Sequence, residues 1–237
     1  MMVLASARDG ASREDRMQSK AAPWPSAIAL KAVMAVSGLT WLGFLLGHLG
    51  TNLNLYAGAA SLNGYYAGLK ANAVVFWGVR VVLATSIVAH VSAATMLTRR
   101  SAAARAIGYR ERRYRTSSLA ARTMPWSGAV LVLFILWHLL HFTTGHAMPP
   151  GTAFAEGNDY ANIVASFSLP YVALAYIVCL VLLGVHLWHG AFAATFSLGL
   201  RHPRYTAMLR RGLGAVVCFV IAGMLSLPIS VLLAVVR

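Results

Sequence analysis

Five runs of predominantly apolar residues, at about 27–49, 73–98, 124–145, 169–198 and 213–236, are each long enough to cross a bilayer core, which takes roughly 20 helical residues. In lipid the backbone must satisfy its own hydrogen bonds, so runs of this length fold as helices. The expected class is therefore all-α and integral to a membrane. A single domain over 27–237 follows a basic arm at 1–26, with no internal repeat. A hydrophobic content of 59% against 11% charged residues, with a mean hydropathy of +0.67, agrees with that class. The net charge of +14 does not point to nucleic acid, because the basic residues lie between the spans. The first span is too long for a signal-peptide core and no small-residue cleavage pattern follows it. The arm is accordingly expected to be retained.

The basic residues set an orientation. With the N-terminus on the cytoplasmic side, that side carries five lysines and arginines up to Lys31, eight from Arg99 to Arg122 and four from Arg201 to Arg211. The other side has Lys70, Arg80 and Arg237, together with the acidic Glu156 and Asp159. Positive charge is retained inside, so the expected topology has the N-terminus cytoplasmic and the C-terminus out. The 50–72 connection places Leu62, Tyr65, Tyr66 and Leu69 at helical spacing, which predicts a short interfacial helix. Gly43 and Gly47 form a small-residue seam on the first span. Pro125 is expected to open the third span, and Arg201-His202-Pro203-Arg204 to stop the fourth.

Histidines lie within four of the five runs: His48, His90, His138 with His141, and His186 with His189. Ionisable groups at bilayer depth are costly and normally face the bundle interior with a task there. At 1.5 Å per residue, His48 lies roughly 30 Å and His138 about 21 Å along spans that start inside. His90 and His186 lie roughly 25 and 27 Å along spans that start outside. Two levels result, His48 with His138 in the outer half and His90 with His186 in the inner half. One imidazole from each of two facing helices is the arrangement that ligates haem iron, so two stacked haems b held by these four residues are expected. The alternative is interhelical hydrogen bonding, worth about 0.6 to 2 kcal/mol per residue. A single histidine would suit it, but two pairs matched in depth favour haem.

His141 and His189 each follow a proposed ligand by three residues and are expected to be hydrogen-bonding neighbours, quinone-site groups or packing residues, either able to exchange roles with that ligand. His146 and His202 read as interfacial. Arg99 and Arg100 inside, and Lys70 or Arg80 outside, are candidate partners for haem propionates, with a plain topology signal an equal alternative. Cys179 and Cys218 lie in apolar runs outside any Cys-x-x-Cys-His motif, which argues against disulfides, cysteine-ligated zinc and covalent haem. No catalytic residue can be assigned.

Several of these residues sit in motifs that resemble a family. Ser37-Gly38-Leu39 leading to His48-Leu49-x-x-Asn52, Leu83 to His90 with Leu97-Thr98-Arg99-Arg100 and Ala104-Arg105-x-x-Gly108-Tyr109, and Gly128 to His138-Leu139-Leu140-His141-Phe142 are similar to the cytochrome b membrane subunit of succinate:quinone oxidoreductases. So are Asn158-Asp159-Tyr160-x-Asn162-x-Val164 and His186-Leu187-Trp188-His189-Gly190, with Ser197-Leu198-Gly199 beyond. The likeness covers about 27–237 and is to the single-subunit, five-helix, two-haem kind also found in fumarate reductases. It implies His48 and His138 on the haem far from the catalytic subunits and His90 and His186 on the near one. It also implies a flavoprotein and an iron-sulfur subunit as partners, a membrane quinone as substrate, expected to be menaquinone, and a bacterial cytoplasmic membrane. The density of arginine from Arg99 to Arg122 leads to the expectation that this loop meets the iron-sulfur subunit and anionic lipid headgroups. In diheme fumarate reductases of this type an acidic residue stands two positions before the fourth-span ligand. Here that position is Gly184, which puts a proton path through such a carboxylate in doubt. The rival expectations are the cytochrome b of a hydrogenase or formate dehydrogenase, and a haem-free anchor or transporter.

Overall fold

A computed structural model describes residues 25–104, 119–200 and 202–237. The N-terminal arm, most of the arginine-rich loop with its Ala104-Arg105-x-x-Gly108-Tyr109 motif beyond Ala104, and Arg201 lie outside the described residues. Seven α-helices make up the rest: α1 (Ala27–Asn52), α2 (Ala59–Ala71), α3 (Ala73–Ala103), α4 (Leu119–Phe142), α5 (Asp159–Phe167), α6 (Pro170–Ser197) and α7 (Thr206–Leu232). A 3-10 turn, Leu53–Ala57, joins α1 to α2. Five of them (α1, α3, α4, α6, α7) are long and apolar enough to cross a membrane, the character of a multi-pass membrane protein.

Local chemistry sets the helix starts. Ser26 Oγ accepts from Ala29 N at 3.1 Å, Asn72 Oδ1 from Val75 N at 3.1 Å and Asn158 Oδ1 from Ala161 N at 3.1 Å, each satisfying a first-turn donor. Pro170 opens α6, where its missing N–H costs nothing.

Several boundaries differ from the sequence expectation. The third span does not open at Pro125: α4 begins at Leu119 and runs through the proline, whose φ is itself helical and which deletes only one ladder bond. It ends at Phe142 rather than Gly145, and the chain then turns through Gly145 at φ +72, where a Cβ would clash with Phe154. The last span starts at Thr206, a turn and more before the apolar onset at Leu213, because arginine is a good helix former and Arg210-Arg211 continue the helix. It stops at Leu232 rather than Val236.

Neighbouring spans run antiparallel. Arg100 Nη1 donates to the Pro25 carbonyl at 2.8 Å, tying the end of α3 to the start of α1. Trp188 packs beside Gly214 and Ile221 beside Gly184, pairing α6 with α7 in opposite directions. The main core joins Leu49, Phe167, Val172, Tyr176, Val220, Met224 and Leu227, where α1, α5, α6 and α7 meet. By contrast α3 contributes only Ala93 to the buried set, and Val74, Trp77, Val81 and Val88 lie exposed along it. For a spanning helix an apolar exposed face is a lipid-facing one.

One end is capped. The predicted interfacial helix is α2: Leu62 is fully buried and Tyr66 packs against the core, but Tyr65 is 48% exposed and does not share that face. Against α2 sits α5. Asn63 Nδ2 donates to Asn158 Oδ1 at 3.0 Å, Tyr160 N donates to Asn63 Oδ1 at 3.0 Å, and Lys70 pairs with Asp159 at 3.4 Å. Tyr56 Oη reaches Ser226 Oγ on α7 at 2.8 Å. The opposite end carries Arg99, Arg100 and Arg122 and is called the arginine end below.

Candidate histidine sites between the spanning helices

Two pairs of imidazoles face each other across the bundle. At the capped end the rings of His48 (α1) and His138 (α4) have centroids 5.9 Å apart. Toward the arginine end the rings of His90 (α3) and His186 (α6) are 6.4 Å apart. The depth ruler sorted the four residues into the same two pairs. Two imidazoles on opposite sides of one metal ion, each bound at about 2 Å, have ring centres about 6 Å apart. Both separations match that arrangement.

Hydrogen bonding decides which nitrogen is free. His90 Nδ1 lies 3.0 Å from the Met34 carbonyl, which can only accept, so Nδ1 carries the proton and Nε2 keeps its lone pair. Ser37 Oγ is also 3.2 Å from that Nδ1, while its own proton goes to the Val33 carbonyl at 2.6 Å. His186 repeats the arrangement. Its Nδ1 lies 3.1 Å from Ser127 Oγ, whose hydroxyl donates to the Met124 carbonyl at 3.1 Å and therefore accepts from the imidazole. A ring N–H held by an oxygen on a neighbouring helix fixes tautomer and orientation, as at metal-ligating histidines.

A glycine follows each serine and admits the ring. A Cβ on Gly38 would stand 3.2 Å from His90 Cε1, and one on Gly128 would stand 3.7 Å from His186 Cε1. The same number of residues separates Ser37 from His48 and Ser127 from His138. Thus α1 and α4 each offer one histidine at the capped end and a Ser-Gly cradle for the other pair. That relation is readable in the sequence once the spacing is known to matter, and it went unused in the reading above.

The capped-end pair has aromatic surroundings. Phe44 stacks on His48 at 5.2 Å, and Phe134, Phe142 and Tyr176 pack around His138 at 5.7 to 6.0 Å. Asn52 Nδ2 donates to the His48 carbonyl at 2.7 Å and lies 3.3 Å from its Nδ1 and 3.4 Å from its Nε2, so neither ring nitrogen of His48 is singled out. His141, whose ring is fully buried, has both nitrogens engaged: Nδ1 with Tyr176 Oη at 3.0 Å and Nε2 with Ser166 Oγ at 2.9 Å. Neither nitrogen is left for a metal, so of the two roles open to His141 the supporting one fits. The sequence reading missed Tyr176 and Ser166, and α5, which carries Ser166. The signal was present in the Asn158 cap and the apolar series Tyr160, Ile163, Val164, Phe167.

The remaining candidates disperse. His189 lines a cleft of about 570 Å³ between α6 and α7 with Trp188, Phe192 and Arg210. His146 and His202 are exposed, the latter stacked on Tyr205 at 5.0 Å. Arg99 is exposed and Arg100 holds Pro25. Lys70 is engaged with Asp159. Arg80 differs: its guanidinium lies 3.4 Å from the Phe76 ring centroid and its Nη1 is a buried donor without a partner, as is Trp41 Nε1. Buried donors normally have partners. These two, with the paired rings and the glycine cradles, fit a large planar group carrying carboxylates. Comparisons with protein-family models, with curated proteins and with solved structures find no match for this chain.

Proposed function

We propose that this chain is the two-haem cytochrome b anchor of a succinate:quinone oxidoreductase. It would pass electrons from an iron-sulfur subunit on the cytoplasmic face, the arginine end, to a membrane quinone, expected to be menaquinone. The observation that carries the reading is the double pairing of imidazoles at two depths, His48 with His138 and His90 with His186. The motifs of these four helices, rather than any match, select this family over other respiratory cytochromes b.

Haem held between His48 and His138, and between His90 and His186, would supply one-electron transfer. The chain's part is to hold and orient. Met34 and Ser127 hold the Nδ1 protons of His90 and His186, so that each Nε2 keeps its lone pair. Apolar helix faces exclude water from both levels. Arg80, with its unpartnered buried Nη1, is the better candidate for a propionate at the capped end, since Lys70 already has a carboxylate partner. Gly184 faces α7, where a Cβ would meet Ile221 Cγ1 at 3.3 Å. A carboxylate there would enter a packed helix interface rather than a proton path, so electron transfer without that path is the consistent reading.

A dithionite-minus-oxidised spectrum of the purified protein tests the proposal. Sharp reduced b-type bands and two haems per chain are expected, with flavoprotein and iron-sulfur subunits copurifying. A colourless preparation would refute it, and copurified hydrogenase or formate dehydrogenase subunits would reassign the partner.

A further inference from the structure

Beneath the cap, four side chains from three helices form one hydrogen-bonded chain: His138 Nδ1, Tyr176 Oη, His141 and Ser166 Oγ, with spacings of 3.4, 3.0 and 2.9 Å. Tyr176 is 4% exposed, and His141 and Ser166 are fully buried, so water does not substitute for these three; His138 itself is half-buried. The function proposed above makes no use of Tyr176, His141 or Ser166.

One proton order through the chain suits a metal at His138. With the Ser166 hydroxyl turned to Met148 Sδ, 4.0 Å away, its oxygen accepts from His141 Nε2 at 2.9 Å. His141, a neutral imidazole donating from one nitrogen, then accepts at the other. Its Nδ1 therefore takes the Tyr176 phenol proton, which leaves the phenol oxygen to accept from His138 Nδ1–H. The reverse order would put a proton on His138 Nε2 and close it to a metal. We infer that Tyr176, held by His141 and Ser166, is a positioning residue that keeps His138 in the Nδ1–H tautomer and leaves Nε2 free for iron. At His90 and His186 the same task falls to an oxygen on the adjacent helix; here it is relayed through a histidine that is not itself a ligand. The inference rests on the two-haem reading.

A hydrogen bond from a ligand's Nδ1 makes the imidazole more basic, which favours ferric iron. Tyr176→Phe removes only the hydroxyl. Redox titration of the whole complex, with electron paramagnetic resonance of the ferric haems, is the test. Two haems per chain should remain, and one should shift to a more positive potential, its ferric-to-ferrous ratio at fixed poise falling about fivefold. Its ferric signal should move while the other haem's stays. Ser166→Ala should shift the same haem in the same direction by less. Two bound haems with both potentials unchanged in Tyr176→Phe would overturn the inference and leave the function standing. Absence of haem from the unaltered protein would overturn the function itself. If Tyr176→Phe does not assemble, the Ser166→Ala titration decides: a positive shift of one haem supports the chain, and no shift overturns it.

Discussion

The two histidine levels take their rings from different helices, α1 and α4 at the capped end and α3 and α6 toward the arginine end, and are stabilised by different means. Toward the arginine end each ring is held over a short distance, by Met34 and Ser37 for His90 and by Ser127 for His186, with a glycine beside each. At the capped end His138 depends on a chain of partners that crosses from α4 to α6 and on to α5, under a lid made by α2 and α5. A level built on local helix contacts tolerates change elsewhere in the molecule. The other depends on the cap being folded.

The largest expected effects come from the ligands proposed for each level. His186→Ala should empty the arginine-end site and leave the capped-end haem, and His48→Ala should do the reverse, because the pairs share no residue and lie at different depths. Iron that loses one axial imidazole becomes five-coordinate or leaves, and the remaining buried ring loses a partner, so lower assembly yield is also expected. Haem per chain by pyridine haemochrome and succinate-driven absorbance kinetics measure this. Loss of the arginine-end haem should also slow reduction of the other. Full haem content in both variants would break the pairing and turn attention to His189, whose nitrogens, unlike those of His141, have no place in a buried network.

Within the arginine-end level the two serines should differ. Ser127→Ala removes the oxygen that holds His186 Nδ1, and an unpaired buried donor costs about 1 to 3 kcal/mol. Ser37→Ala leaves His90 Nδ1 on the Met34 carbonyl at 3.0 Å, so its effect should be several-fold smaller in haem retention on dilution into detergent. Equal effects would mean that Met34 does not hold the ring. The glycines divide in the same direction as their spacing. Gly38→Ala presses a methyl against His90 at 3.2 Å and should weaken retention modestly, whereas Gly128→Ala at 3.7 Å should be close to neutral. A larger loss from Gly128→Ala would show that the arginine-end cradle is tighter on the α4 side than the spacing indicates.

Periodicity and length made the spans legible, because a bilayer imposes both, and the helix rise, with the orientation read from the basic residues, sorted four histidines into the pairs whose rings face each other. What stayed hidden was chemistry carried by small polar groups. Ser166 and Tyr176 look like ordinary residues of an apolar chain until α5 is folded back over α4. The nine-residue α5 was missed because its cap and its apolar face fall inside a Gly- and Pro-rich connection that reads as loop. Boundaries slipped where apolar onset was taken for helix onset, as at Arg210-Arg211, and where Pro125 was taken as a start although it only interrupts one bond. Tyr65 was assigned to the face of Leu62 by spacing, yet the burial of α2 is narrow enough to take Leu62 and Tyr66 and leave Tyr65 out.

The smallest effect should come from the cap's ion pair, and it separates the two roles open to Lys70. Its ammonium is 3.4 Å from Asp159 Oδ2 and its side chain is 47% exposed, so solvent screens the pair and Lys70→Ala should cost well under about 1 kcal/mol. Thermal unfolding in detergent should move by a degree or two at most, and less at high salt, since exposed pairs are screened. Haem content at the capped end should not change, because Lys70 already has its carboxylate in Asp159 and Arg80 carries the unpartnered buried donor. A capped-end haem lost or shifted in Lys70→Ala, with Arg80→Gln silent, would instead assign the propionate to Lys70. The cap would then reach into the site directly, and not only through Ser166.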